Sequence, residues 1–414
     1  MSYNIPFEMD LDHRRCAVGG EPMIFHCHHY NTFLQRSIQD AEYIDTRPIL
    51  IGAGAEVAYA QLKKLFAEQG IKDLEQRKQL AQQLYQWAGF GVFDLSGLSE
   101  SGGRVSTRDS HYAMSWNAKF GGAKEPVCHF ASGWLAGAAA ALFDKPNGSY
   151  SVEHDHCLAV KPNQECVFEV KAGGANYHVY DSVGMGDLSA KHALRDIPAN
   201  NVDYDGILQA VAGLPLVGDE HGVINAFGVY LTRHYANYYN RISFEFEQKL
   251  REKFGDDGRQ VAHPLLVEAG HVCAFNTFGG IMTSTEWDAL IKPSLQTKED
   301  WVHGIVAVVN ALGWGRWQVT SVSEKEAEFV LFDDYESSGY LAMYGKSDHP
   351  VSYLAEGGVA GVMNLVYVGD IASKPALTPE FYDRLFKQPD VYKAEAVKSK
   401  AMGDEVTQFR VRRP

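Results

Sequence analysis

Apolar residues recur at three- and four-residue spacing over 55–70 (AEVAYAQLKKLFAEQG) and 76–89 (QRKQLAQQLYQWAG) with no internal proline, which predicts two helices. Residues 133–143 (GWLAGAAAALF) are small or apolar throughout and predict a helix buried on all sides. Alternation with period two marks strands at 91–98, 165–173, 316–322, 326–333 and 407–413. The aromatic-rich run 222–255 predicts one or two long helices packed between domains. Residues 25–31, FHCHHYN, read as a strand, with His26 and His28 on one face and Cys27 and His29 on the other. These elements predict an α/β (α+β) fold in which mixed sheets carry helices.

The pattern occurs twice. Shifted by 224 positions, Gly89–Gly137 aligns without a gap on Gly313–Gly361. Gly89, Gly91, Ser99, Glu100, Asp109, Pro126, Gly133 and Gly137 recur as Gly313, Gly315, Ser323, Glu324, Asp333, Pro350, Gly357 and Gly361. Glycines recur where a fold fixes turns and close packing. The histidine-rich stretch is echoed as well: His26, Asn31, Thr32 and Phe33 match His271, Asn276, Thr277 and Phe278, while Cys27, His28 and His29 fall on Val272, Cys273 and Ala274. The chain is therefore expected to hold a first domain (1–178), a helical connection (179–260) and a second, degenerate copy (261–414). The copies would form a pseudo-dimer about an approximate twofold axis.

A net charge of −14 argues against a nucleic-acid partner and against an anionic membrane surface. No apolar run of membrane-span length is evident and the N-terminus has no apolar signal core, so a cytoplasmic location is expected. In a reducing compartment the six cysteines are expected to be free. Cys16 and Cys273 read as small apolar residues. Cys157 and Cys166 flank the turn signal KPNQ (161–164), so a hairpin would bring their thiols together, with Cys128 ahead of the glycine-rich helix. Three thiolates and one further ligand make a closed zinc site, and Glu153, His154 and His156 all lie within reach. Three unrelated buried cysteines are the alternative. No phosphate-binding loop, dinucleotide fingerprint or serine-nucleophile motif occurs.

Residues 109–170 resemble the 4-vinyl reductase domain, whose pattern is a cysteine before GxxxG, then an acidic residue and a cysteine, then a cysteine before an xFxV strand. Here these read Cys128 with GWLAG, VEHDHC, and ECVFEV. The resemblance implies a ligand-binding domain, often a homodimer, with a structural zinc held by three cysteines and a carboxylate near an apolar pocket. This chain departs from the pattern at His154, which stands at the usual carboxylate position with Glu153 one residue earlier. Its last two cysteines are also one residue further apart. His154 is the expected fourth ligand and Glu153 the next. The second copy has Ser352, Ser399 and Thr407 at the cysteine positions and is expected to hold no such zinc.

With zinc structural, chemistry has to come from elsewhere. His26, His28, His29 and His111 are the candidate catalytic residues. Tyr30, Tyr112, Trp116, His129 and Trp134 are the candidate lining of a pocket for a small apolar or aromatic molecule. Two or three imidazoles would suit a second transition metal such as iron or copper. Neutral histidines equally serve as general acid and base, and a polar strand satisfied by hydrogen bonds is the third reading. The chain is thus expected to be a metal-containing enzyme or a non-catalytic carrier for such a molecule.

Overall fold

The computed structural model describes residues 4–162, 164–189 and 193–414. It is a mixed α+β fold with three antiparallel sheets, one large apolar core and a small separate cluster of Val330, Phe332 and Val406. The turn predicted at 161–164 includes residue 163, which lies outside the described residues.

The chain opens with strands β1 (Glu8–Asp10), β2 (Arg15–Val18) and β3 (Glu21–Cys27), then helices α1 (His28–Gln39), α2 (Arg47–Glu68) and α3 (Leu74–Trp87). The side chain of Asp73 caps α3 by accepting the Gln76 N–H. Next come β4 (Gly102–Thr107), α4 (His111–Phe120), α5 (His129–Leu142), β5 (Tyr150–His156) and β6 (Cys166–Ala172). Helix α6 (Tyr204–Ala212) leads into β7 (Ile224–Ala226), β8 (Val229–Tyr235), α7 (Ala236–Phe254) and α8 (Asp256–Cys273). The last passes through a π turn (Ala274–Phe278) into α9 (Gly279–Thr283). Helices α10 (Thr285–Leu290) and α11 (Lys298–Val309) follow; Thr297 and Asp300 form a capping box on α11. Strands β9 (Arg316–Val322) and β10 (Glu326–Phe332), helices α12 (Tyr335–Tyr344), α13 (Tyr353–Met363) and α14 (Pro379–Phe386), and strands β11 (Lys393–Lys398) and β12 (Thr407–Arg412) complete it.

The sheets run β1-β2-β3-β8-β7, β4-β6-β5 and β11-β12-β10-β9. The last two share a plan. β6 lies between β4 and β5 as β12 lies between β10 and β11, and Thr107 pairs with Cys166 as Leu331 pairs with Thr407. Helix α5 crosses α2 where a Cβ on Gly133 would stand 1.9 Å from the Ile51 carbonyl oxygen; α13 crosses α8 where a Cβ on Gly357 would stand 2.3 Å from that of Val267.

Four sequence expectations are corrected. FHCHHYN is not one strand: β3 ends at Cys27, and His28 and His29 open α1. Asn31, Leu34, Gln35 and Ile38, all buried, recur at i, i+3, i+4 and i+7, a spacing that a helix gathers on one side and a strand splits between two faces. Its supposed echo at 271–278 is the end of α8 and the π turn, a different local structure. Residues 222–255 are not helical throughout, because Ile224–Tyr235 is a hairpin. Phe227 (φ 54°) and Gly228 (φ 72°) form its two-residue left-handed turn, and β8 pairs with β3. Residues 91–98 are loop: Gly91 (φ 113°) sits so close to the Asp109 carbonyl that a Cβ would stand 1.7 Å from it. The run Asp256–Thr283 is long and apolar enough for a membrane span by composition, yet it is mostly buried and packs on α13.

Candidate metal centre and buried imidazoles

Cys128 precedes α5, whose small residues let it press against α2, so its thiol is fixed at the base of the helix. Cys157 follows β5 and Cys166 opens β6, the two strands of the predicted hairpin. Alternation along β5 buries Tyr150, Val152 and His154 on one face, and the His154 ring stacks on Phe168 with centroids 4.4 Å apart; the register shifts just beyond it, before Cys157. One ligand atom from each of Cys128, His154, Cys157 and Cys166 lies within 4.8 Å of the others, and all four residues are buried. This is the one such group among the described residues.

The donor set fits a metal ion. The Cys128 and Cys166 sulfurs are 3.8 Å apart, which is the edge of a tetrahedron with metal–sulfur bonds of about 2.3 Å. Both ring nitrogens of His154 are buried without a hydrogen-bond partner, a costly state unless one of them binds a metal. Burial pushes the Cys128 thiol well up, while hydrogen bonds from Cys128 and Cys166 pull Cys157 far down. A divalent cation would displace the thiol protons and bind the thiolates. Ser110 Oγ lies 3.1 Å from Cys128 Sγ and the Leu158 N–H points at Cys166 Sγ (3.4 Å), supporting contacts outside the ligand set. Glu153 faces away and pairs with Lys171 at 2.6 Å, and His156 contacts Asp155, so neither belongs to the group.

The corresponding place in the other sheet holds hydroxyls around a carboxylate. Buried Asp334 accepts from Ser352 Oγ (2.9 Å) and Thr407 Oγ1 (2.8 Å), and Ser337 Oγ lies 2.8 Å and 3.1 Å from the same two hydroxyls. The charge that a metal would supply to thiolates is here met by hydrogen bonds to an anion. Ser399 lies outside this network: its Oγ is buried with no partner.

The candidate histidines divide. His26 is fully buried, stacked between Tyr30 (4.2 Å) and Trp314 (4.6 Å), with Nδ1 3.6 Å from Cys273 Sγ and Nε2 unpartnered. His28 and His29 lie with ring centroids 3.9 Å apart. His28 Nδ1 accepts the Tyr230 N–H (3.1 Å), so its proton sits on Nε2. Burial lowers His28 to about 4 and His29 to about 2, and the neighbouring His28 adds to the shift on His29. His111 is joined through Asn31, whose amide donates to its Nε2 (3.0 Å), and burial lowers it to about 3. Lys119 Nζ donates to the His29 carbonyl (3.0 Å), and burial lowers that amine to about 8.

The predicted lining residues are packed into this core. Tyr112 accepts from His234 Nε2 (3.0 Å), Trp134 Nε1 donates to the Tyr235 hydroxyl (3.0 Å), Trp116 packs on Phe120, and His129 Nε2 accepts from Gln39 (2.8 Å). The hollows beside Arg104 and Pro162, beside Arg259 and Tyr353, and beside Val267 and Tyr392 are bordered by other residues. Sequence reasoning missed His234, Asn31 and Lys119. His234 was hidden because RHY, which alternates as β8, lies in a run read as helix. Asn31 and Lys119 carry no pattern of their own.

No family model and no curated protein matches the chain. Among solved structures the chain is similar to the phenol-responsive sensory domain of the transcription activator PoxR with phenol. The identity is 12%, the match covers 50% of this chain and 89% of that one, and the TM-score is 0.36. A likeness of that extent says nothing about this chain's ligand.

Proposed function

We propose that the chain is a metalloprotein with a structural zinc at Cys128, His154, Cys157 and Cys166, acting on a small apolar or aromatic molecule beside His28, His29 and Lys119. The observation that carries the metal is the closed group of three sulfurs and one nitrogen, with an imidazole that has no other partner. Four protein ligands leave no open position, so the zinc would hold β5, β6 and α5 together without taking part in chemistry. The six free cysteines suit a reducing, cytoplasmic setting.

The functional half of the reading rests on the exposed end of the imidazole cluster. His29 and Lys119 are half-buried while His28 is buried behind them. A neutral imidazole accepts a hydrogen bond from a hydroxyl, and the adjacent ammonium favours negative charge developing on that oxygen. His26 and His111 then act as the packed support of that face. The stacking of His26 between Tyr30 and Trp314 favours a second reading, a carrier without chemistry, in which the rings only build an aromatic wall.

We also infer that 1–178 and 261–414 are copies of one 4-vinyl reductase-like domain joined through 179–260. The matching strand plans and helix crossings support this. Elemental analysis is the direct test of the metal: one zinc per chain is expected, and none, or iron at that stoichiometry, refutes the structural zinc. Phenol serves as the probe of the imidazole face in calorimetry. His28→Ala should abolish phenol binding while zinc content and the thermal midpoint stay near wild type. Unchanged binding would leave His28, His29 and Lys119 as fold residues only.

A further inference from the structure

A trough of a different character lies on the second half, where α8, the start of α13 and strand β11 meet. Its wider part encloses about 390 Å³ and its walls include Arg259, Gln260, His263, His349, Tyr353 and Glu356. Beyond Glu356 and Ala394, which border both, a narrower hollow of about 210 Å³ continues between Val267, Phe386, Val391 and Tyr392. The wider end is ionic, and the narrower end is mixed: Val267, Phe386, Val391 and Tyr392 give it an apolar wall, with His271, Asn364 and Lys393 at its border.

The charges at the ionic end do not cancel. His349 is buried, with Nε2 2.7 Å from Glu247 Oε1 and Nδ1 2.5 Å from Asp348 Oδ1, and the Tyr353 hydroxyl donates to Glu247 Oε2 at 2.6 Å. Burial opposes a charge on this ring, but the two carboxylates outweigh it and raise His349. His349 and Glu247 therefore neutralise each other, and Asp348 is matched by Arg251 at 2.9 Å, so this part forms a neutral floor. His263 Nε2 pairs with Glu356 Oε2 at 3.1 Å, and that hydrogen bond raises His263. Glu395, on the β11 wall, pairs with Arg412. Arg259 and Lys393 remain. Neither has an ion-pair partner among the described residues, and Arg259 Nε is buried with no hydrogen bond at all.

Arg259 and His263 stand one turn apart on the same face of α8, so the guanidinium and the free Nδ1 of His263 can reach one ligand group. Arg259 is half-buried with its Nε enclosed and unpartnered, and a carboxylate that binds Nε and one Nη together would satisfy it.

We infer that this trough is a binding site for a small organic carboxylate whose apolar or aromatic body extends past Glu356 into the hollow at Val267, Phe386 and Tyr392. The carboxylate is held by Arg259 and His263. The site is separate from the imidazole face at His28 and His29 and takes ligands of opposite polarity to a neutral phenol.

Calorimetry on the full chain with 3-phenylpropionate as probe tests the inference. Saturable binding is expected, with affinity weaker by about tenfold or more in Arg259→Gln, as befits loss of a charge-assisted pair. The neutral 3-phenylpropionamide should bind as weakly as the variant shows. Val267→Trp, which fills the apolar hollow, should also weaken the acid. Circular dichroism controls for folding, since Arg259 lies on the surface turn of α8. Three results would overturn the assignment: no saturable binding to wild type, equal binding in Arg259→Gln, or inorganic phosphate binding as tightly as the acid. Loss of 3-phenylpropionate binding in His28→Ala with retention in Arg259→Gln would move the ligand to the first half and reject this site while keeping the imidazole face.

Discussion

One atom separates Cys128 from Ser352, and the two residues stand at matched positions in front of α5 and α13. With sulfur, the neighbours are two more thiols and an unpartnered imidazole; with oxygen, they are Thr407, Ser337 and the carboxylate of Asp334. The cysteines were legible in the sequence because their spacing and the hairpin turn between them are local features. Asp334 was legible at most as the N-cap of α12, where it accepts the Ser337 N–H; its tie to the hydroxyls of Ser352 and Thr407 exists only once those distant residues are folded onto it. Two outcomes follow at this scale. Cys157→Ser should lose the metal, measured by elemental analysis, and lower the thermal midpoint, whereas Glu153→Gln should keep full metal content because Glu153 only pairs with Lys171 at the surface. Asp334→Ala should cost about 2–4 kcal/mol in urea unfolding by leaving buried hydroxyls unpaired, with no change in metal content. A metal loss in that variant would mean that the hydroxyl network and the thiol cluster are not independent.

Helices and strands were legible where a period ran undisturbed for two turns or four alternations, as in α2, α3, α5, β6, β9, β10 and β12. They were misread where two periods overlapped. His26 and His28 fit alternation, but Asn31, Leu34, Gln35 and Ile38 follow the i, i+3, i+4, i+7 period of a helix, and burying that stripe accompanies the boundary at Cys27. In Ile224–Tyr235 the turn at Phe227–Gly228 carried the correct signal, a glycine in a two-residue left-handed loop, masked by the aromatic residues on either side. The element crossings give a prediction of their own. Gly133→Ala pushes a methyl into the Ile51 carbonyl, and α5 cannot move without disturbing Cys128 at its foot. It should destabilise by about 1–3 kcal/mol or more, the range for overpacking, and reduce metal occupancy. Gly70→Ala, at φ 65° but with nothing within 4 Å, should cost about 1 kcal/mol through backbone strain alone and leave the metal in place. Equal effects of the two substitutions in urea unfolding would argue that the α2–α5 contact is loose.

At the scale of the whole molecule the two halves share a core that encloses several ionisable groups, and their protonation ties stability to pH. Glu21 is fully buried on β3, accepting from Ser182 and from Asn237 Nδ2 (3.1 Å), and burial pushes it up to about 7, with Glu56 nearby adding to the shift. In the unfolded chain it ionises near the ordinary value of about 4.5. Between those two values the folded state holds one proton more than the unfolded state. The stabilisation is therefore fully present below about 4.5 and is lost as pH rises through 7. The buried histidines act in the opposite sense. His28, His111 and His303 are lowered to about 4, 3 and 4, chiefly by burial, so folding gains as pH rises towards their unfolded value of about 6.5. The wild-type curve mixes both trends, and a difference between two proteins separates them. Glu21→Gln keeps the size and polarity of the side chain, since Ser182 can accept from the amide, and removes only the titration. The stability of wild type minus that of Glu21→Gln, measured from urea midpoints with metal bound in both, should fall by about 1.4 kcal/mol per pH unit between pH 5 and 7 and then level off. A flat difference across that range would show that Glu21 ionises at its ordinary value despite its burial between Ser182 and Asn237.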